Sequence, residues 1–238
     1  MYTRRRFIPE RMDDPAISQR EIDASFDFIR MVNRRLGGVA TLRRELESLR
    51  TEWPRDRPLR LLDLGTGAAD LPLDAIGWAE ARGLPIECVG VDNHPAVLAV
   101  ARRLAEDEPR LQLLELDARE AVEHFGVRSF DLVHAGMFLH HLPDLEVMTT
   151  LAAMGRLARR RLVWNDLHRT RFNAVAIRLL TIGRHPTVRF DAAASVGKGF
   201  VRDEALDLAR RVGLENVRVR CAFAGRLVLT ASGLGDVS

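Results

Sequence analysis

The chain has 238 residues, 47% of them hydrophobic and 29% charged, which supplies a full core and excludes a polypeptide disordered throughout. Its formal net charge is only +3, and Lys198 is the one lysine among 36 basic residues, so the arginines are scattered rather than massed for nucleic acid. No run approaches the ~18 apolar residues of a membrane span.

Residues 1–6 read as a loose basic arm, with no apolar stretch of signal-peptide length behind them, so the cytoplasm is the expected location. Residues 16–49 place Ile22, Phe26, Ile29, Leu36, Val39, Leu42, Leu46 and Leu49 at helical spacings, and Gly37-Gly38 divides them into two helices. Trp53-Pro54 and Pro58 end this N-terminal arm and helical cap, residues 1–57, and a second unit follows at 58–238.

From residue 59 strand and helix alternate. Strands are predicted at 59–64, 86–91, 111–116, 130–135 and 161–165, with helices at 68–82, 96–106, 118–125 and 144–157. Such alternation builds right-handed βαβ units around a parallel sheet. Arg156, Arg159, Arg160 and Arg161, the nearest approach to a basic cluster, read as a solvated helix end.

Residues 170–199 interrupt the alternation as a substrate-side insert. Its first half, with Val175, Ile177, Leu179, Leu180 and Ile182, reads as an amphipathic helix. Its second half, around His185-Pro186 and Gly197-Lys198-Gly199, reads as a loop. A helix at 202–212 and strands at 217–222 and 226–230 complete the chain, and the short Ala224-Gly225 connection makes that last pair antiparallel. The expected fold is an α/β three-layer sandwich with a seven-stranded, mostly parallel sheet and one antiparallel strand. Cys88 and Cys221 fall in strand-like runs without metal-ligand spacing and are expected to be buried thiols; no metal site is expected.

The most informative stretch is Leu61-Leu62-Asp63-Leu64-Gly65-Thr66-Gly67-Ala68-Ala69-Asp70, a strand running through a glycine turn into a helix. Gly65 and Gly67 let the backbone turn sharply and approach a ligand. A dinucleotide fingerprint would carry Gly or Ala where Asp70 stands, and an acidic residue there suits an uncharged or cationic ligand better than a pyrophosphate. Asp92 ends the second strand in Val91-Asp92-Asn93-His94, where a carboxylate can accept from ribose hydroxyls or cap the next helix. Asp117, beside Ala118, follows the third strand and is open to a capping role as well.

The sequence Asp63–Asp70 resembles the first motif of class I S-adenosylmethionine-dependent methyltransferases, with Rossmann-like fold. The resemblance runs from about residue 59 to 167. It implies a cofactor site for S-adenosylmethionine, and its product S-adenosylhomocysteine, at Asp63, Gly65, Thr66, Gly67, Asp70, Asp92, Asn93, Asp117, Ala118 and Ala135. The resemblance implies that Asp92 meets the ribose and Asp117 the adenine amino group. The stretch Phe130–His141 resembles the family's fourth strand and following loop, where many small-molecule methyltransferases carry a histidine pair. A fainter similarity, in Glu10-Arg11-Met12-Asp13-Asp14, Asn33-Arg34-Arg35-Leu36-Gly37-Gly38 and Asn165-Asp166-Leu167-His168-Arg169, points to bacterial methyltransferases of aromatic or polyketide secondary metabolism.

A histidine with a pKa near ~6.5 can take a proton from a hydroxyl at neutral pH, which makes His140, His141 and His168 the candidate bases, with Asp166 an alternative at the same sheet edge. The expected reaction is methyl transfer to a small-molecule hydroxyl, phenolic or polyketide-type. Transfer to nitrogen or carbon, a catalytically silent S-adenosylmethionine-binding protein, and a nicotinamide-dependent oxidoreductase stand as alternatives; Asp70 and the terminal hairpin weigh against the last. The Asn/Asp-Pro-Pro-aromatic signature of base methylation is missing after the fifth strand, which argues against a nucleic-acid acceptor. A homodimer is compatible with the sequence.

Overall fold

The computed structural model describes residues 4–14 and 16–234, so Met1, Tyr2 and Thr3 of the predicted arm lie outside the described residues. The apolar runs form parallel strands β1 (Leu59–Leu64), β2 (Ile86–Asp92), β3 (Leu111–Glu115), β4 (Phe130–Gly136) and β5 (Ala158–Leu167). The sheet order is β3-β2-β1-β4-β5-β7-β6, in which β7 (Arg226–Ala231) runs antiparallel to both β5 and the edge strand β6 (Arg218–Ala222). This is the expected seven-stranded α/β architecture. The chain winds outward from β1 to β3, then returns to add β4 and β5 on the other side. That reversal opens a crevice beyond the carboxyl ends of β1 and β4, the place where open α/β sheets bind ligands.

Period-two alternation sends the side chains of β1 to two cores. Leu59 and Leu61 pack with Leu42 and Leu46 of α2 (Gly38–Ser48) and Ala75 and Ile76 of α3 (Asp70–Glu80). Leu62 and Leu64 pack with Leu151 and Met154 of α6 (Asp144–Leu157) and Leu208 of α9 (Arg202–Arg211). Helices α4 (Pro95–Leu104) and α5 (Ala121–Phe125) complete the two layers. Each of these leucines is fully buried, and each contributes roughly 1.5–3 kcal/mol by leaving water.

Above the crevice lie α1 (Gln19–Arg35), α7 (Arg171–Leu180) and α8 (Pro186–Lys198). Ser18 starts α1 with a capping box shared with Glu21, and Ile22, Phe26, Phe28 and Val32 form its buried face. The second half of the insert is helical, not the expected loop. The His185 side chain caps α8 by accepting from Thr187 N–H, and Pro186 occupies the first turn, where its missing N–H costs nothing. His185-Pro186 and Gly197-Lys198-Gly199 are thus helix boundaries.

Three further expectations are corrected. The arm is tethered at Arg5, whose guanidinium donates to the carbonyls of His140, Leu142 and Lys198 and pairs with Asp144. The arginine cluster divides: Arg156 ends α6, whereas Arg159, Arg160 and Arg161 enter β5, where Arg160 meets Asp131 and Arg161 meets Glu45. Cys88 is buried as expected, but Cys221 is exposed because β6 is the sheet edge. No helix among the described residues is long and apolar enough to cross a membrane.

Candidate active site

The glycine turn builds the floor. Gly65 and Gly67 both adopt left-handed backbone conformations, with φ of 65° and 56°. A Cβ at Gly65 would run into the Phe138 ring, and one at Gly67 would stand 3.1 Å from the Phe26 ring, so a side chain is excluded by conformation and by space. Asp63 braces the turn from below. Its carboxylate accepts from Thr66 Oγ1 at 2.9 Å and lies 2.6 Å from His134 Nδ1 on the neighbouring strand.

Asp92 holds the same turn from β2. One carboxylate oxygen accepts from Gly67 N–H and the other from His94 N–H, both at 3.0 Å. Each oxygen keeps a further lone pair. Burial pushes the Asp92 pKa up, and a second set of donors at its free lone pairs would relieve that cost. Asp70 is also pushed up, chiefly by burial, and its side-chain partner is a neutral amide, Asn33 Nδ2 at 3.1 Å. Asn33 Oδ1 in turn accepts from Arg226 at 2.9 Å. A ligand cation beside Asp70 would meet a carboxylate desolvated in advance.

Together these residues line a cavity of about 380 Å³, inside the range of small-molecule sites. Asp63, Gly65, Thr66, Gly67, Asp70, Asp92 and Asn93 contribute from the sheet edge. Phe26, Ile29 and Val32 of α1, Ile177 of α7 and Val188 of α8 form an apolar roof. Asp117 and Ala118 line an adjoining recess of about 120 Å³ with Gly65, Asp92, Asn93 and Phe138. There Asp117 is bound to Arg119, at 2.6 Å and 2.9 Å, which holds its carboxyl below the usual range.

The polar end of the cavity holds the histidine pair. His140 is buried, its Nδ1 lies 2.7 Å from Asp166 Oδ1, and its Nε2 has no hydrogen-bond partner. Burial lowers the His140 pKa, outweighing the Asp166 charge that raises it. Burial works against ionisation of Asp166 too, yet His140, Trp164 Nε1–H and Leu167 N–H hold its pKa down to about 2. The pair therefore rests as a neutral imidazole on a carboxylate, with Nδ1–H directed at Asp166 and the Nε2 lone pair directed away from it.

His141 stacks against His140 with ring centroids 4.2 Å apart. Glu10 reaches the same end from the N-terminal segment, 3.9 Å from His140 Nε2 and 4.0 Å from His141 Nε2. Lys198 Nζ sits 2.6 Å from Glu10 and Ser195 Oγ donates to it at 2.5 Å. Burial opposes ionisation of Glu10, but His141, His140 and Lys198 around it outweigh that and lower its pKa. Glu10, His140 and His141 bring donor atoms within 4.8 Å of one another, as a metal would require, but the Lys198 ammonium already stands at that carboxylate.

Two predicted site residues fall elsewhere. Ala135 is wholly buried in the core beneath β4, because strand alternation turns it toward the α6 face; Gly136 and Met137 line the cavity in its place. His168 forms a bridge with Phe200, its Nδ1 lies 3.6 Å from Cys221 Sγ at the β6 side, and it lines no part of the cavity. Asp166 lies behind His140 rather than in the cavity. Sequence reasoning passed over Glu10, Asn33 and Lys198 as site residues. The signals were that Lys198 stands alone among arginines and that Glu10 and Asn33 open two of the stretches of fainter similarity.

Comparison with known proteins agrees with this geometry. The family described as a methyltransferase domain matches residues 61–161. A demethylmenaquinone methyltransferase of Thermus thermophilus is 35% identical over 105 residues, 42% of this chain and 46% of the relative, so the chain spans about half the length of the curated relative it matches. An O-methyltransferase family protein from Burkholderia thailandensis superposes with a TM-score of 0.67 at 15% identity, covering 93% of this chain and 62% of the other. Magnesium protoporphyrin IX methyltransferase from Synechocystis, with bound SAH, gives 0.55 at 17% identity, covering 94% and 91%. At such identities these two structures establish a shared Rossmann-like methyltransferase fold.

Proposed function

We propose that the chain, whose residues 61–161 match the methyltransferase-domain family, transfers a methyl group from S-adenosylmethionine to a hydroxyl of a small, largely apolar acceptor. The observation that carries this reading is His140: a buried imidazole, backed by Asp166, whose Nε2 has no hydrogen-bond partner and whose side chain lines a mostly apolar cavity beside the glycine turn.

The donor set fits that cofactor. The glycine turn leaves room where side chains would collide, Asp92 offers free lone pairs for ribose hydroxyls, and buried Asp70 complements a cationic amino group. The recess at Asp117 and Ala118 sets Leu116, Phe138 and Leu142 beside polar Asp117 and Asn93, a mixed lining that suits an adenine ring with its amino group. When bound, the cofactor supplies an electrophilic methyl, so the protein's main task is alignment.

The chain's residues perform the rest. The roof of α1, α7 and α8 excludes water and orients an apolar acceptor body. His140 Nε2 takes the hydroxyl proton as the acceptor oxygen gains the methyl. Asp166 keeps Nδ1 protonated and stabilises the imidazolium that results. Glu10, fixed by Lys198 and Ser195, orients the acceptor hydroxyl toward Nε2. General-base catalysis of this kind contributes about 10²–10⁴-fold. Relatives named for O-methylation and for demethylmenaquinone support a small-molecule acceptor.

The test is transfer of methyl-labelled S-adenosylmethionine to a panel of phenols, naphthols and hydroquinones, with matched arylamines alongside. Label on the hydroxyl acceptors, lost in His140→Gln, supports the reading. Label on amines alone, or undiminished transfer by His140→Gln, overturns it.

A further inference from the structure

The insert that roofs the cavity also carries an apolar surface that none of the other described residues covers. On α7, Ala174, Ile177 and the adjoining Thr181 recur at helical spacing and face inward; Ala174 and Thr181 are buried and Ile177 lines the cavity. Phe172, Val175, Leu179 and the following Ile182 recur at the same spacing on the other side, and there they are 77%, 57%, 64% and 70% exposed. Leu180 and Phe190 are exposed as well. Single exposed apolar residues are ordinary, but six within one short segment are not. The turn between β6 and β7, which carries exposed Phe223, is held against α7 by Asn173, whose amide donates to Gly225 O at 3.1 Å and to His168 O at 2.6 Å.

The charge of this segment identifies what covers it. Between Asp166 and Asp191 the sequence holds five arginines and no aspartate or glutamate. Arg169 is buried against Glu204. The other four, Arg171, Arg178, Arg184 and Arg189, are exposed, and Arg171 and Arg178 lie together along one edge of the apolar stripe of α7. A helix with an apolar stripe bordered by arginines has the make-up of one that lies in a membrane interface. A two-fold contact between copies of this face would set arginines of one against arginines of the other, so a second copy complements it poorly. Anionic lipid headgroups complement it well.

We propose that α7 and the turn after it dock the protein on an anionic lipid surface, with Phe172, Val175, Leu179 and Ile182 entering the headgroup boundary and the arginines meeting lipid phosphates. The docking stands on this surface alone. One consequence rests on the methyltransferase reading: the helix that touches lipid outside is cavity wall inside, at Ile177, so an apolar acceptor could pass from bilayer to site around one element.

The experiment is co-sedimentation of the full chain with vesicles of phosphatidylcholine alone and of phosphatidylcholine mixed with phosphatidylglycerol. Sedimentation with the mixed vesicles, at least tenfold weaker with neutral ones, is expected. A Phe172→Ser/Leu179→Ser double variant should lose it, and Arg171→Glu/Arg178→Glu should weaken it at least tenfold, while both still bind S-adenosylhomocysteine. Those residues line no part of the cavity, so retained binding shows that the variants fold. No sedimentation with either vesicle would overturn the proposal. So would a wild-type dimer in sedimentation equilibrium that Phe172→Ser/Leu179→Ser converts to monomer, since the face would then belong to a second copy. Neither outcome touches the methyl-transfer reading, which the label assay judges separately.

Discussion

His140 and Asp166 are joined twice: the imidazole Nδ1 lies 2.7 Å from one carboxylate oxygen, and the His140 backbone N–H donates to the other at 3.1 Å. Ring orientation and tautomer are therefore set by one buried acid at the end of β5, and the proton-accepting nitrogen is left pointing away from it. The first prediction follows from that division of labour. His140→Gln should lower turnover with a hydroxyl acceptor by on the order of 10²-fold or more without changing affinity for S-adenosylhomocysteine. Asp166→Asn should lower it comparably, and the double variant should be little worse than either single one, because the two act as a unit. Steady-state kinetics beside calorimetry of the cofactor would check this, and additive losses would contradict it.

The pH profile has a defined sign. Burial holds His140 below the ordinary imidazole value, so the neutral, proton-accepting form persists at mildly acidic pH. The acid limb of kcat/KM should therefore lie below ~6.5. The Asp166 charge raises the His140 pKa, so Asp166→Asn should move that limb further down while reducing the plateau. A limb above the ordinary value, or one that Asp166→Asn moves upward, would contradict the assignment.

The same pair links stability to pH. Asp166 falls from 3.8 to about 2 in the folded chain and His140 falls below 6.5, so both bind fewer protons folded than unfolded. Their contribution is full above the unfolded values and is lost as pH drops, first through the histidine range and then between ~4 and about 2. Thermal melts between pH 7 and 3 should show Tm falling with acidification, and His140→Gln should flatten the upper part of that fall.

Asp70 predicts an opposition between stability and binding. Burial disfavours its charge, and its neutral partner Asn33 only partly offsets this. Asp70→Asn should leave the free protein as stable as wild type or more so. It should weaken S-adenosylmethionine by about tenfold or more, near ~1.4 kcal/mol. Denaturation midpoints and calorimetric titration on the same preparations separate the two effects.

Much of the fold was legible because buried parallel strands leave near-continuous apolar runs, and these sit where the alternation placed them. The glycine turn was legible for the same local reason. The roof was harder. His185-Pro186 and Gly197 punctuate a sequence equally well at the ends of a helix as within a loop, and only the capping geometry decides for α8. The three histidines could not be ranked from sequence, since all follow strand ends; the orientation that buries His140 on Asp166 and turns His168 toward Cys221 is a tertiary property. The Glu10–Lys198 pair joins residues far apart in the chain, and no local pattern announces it.

The most direct measurement is calorimetric titration of the chain with S-adenosylmethionine, S-adenosylhomocysteine and NAD, repeated on Asp92→Ala. The account predicts micromolar binding of the first two, none of NAD, and loss of at least tenfold in affinity in the variant. Binding of NAD, binding of none of the three, or affinity unchanged by Asp92→Ala would contradict it.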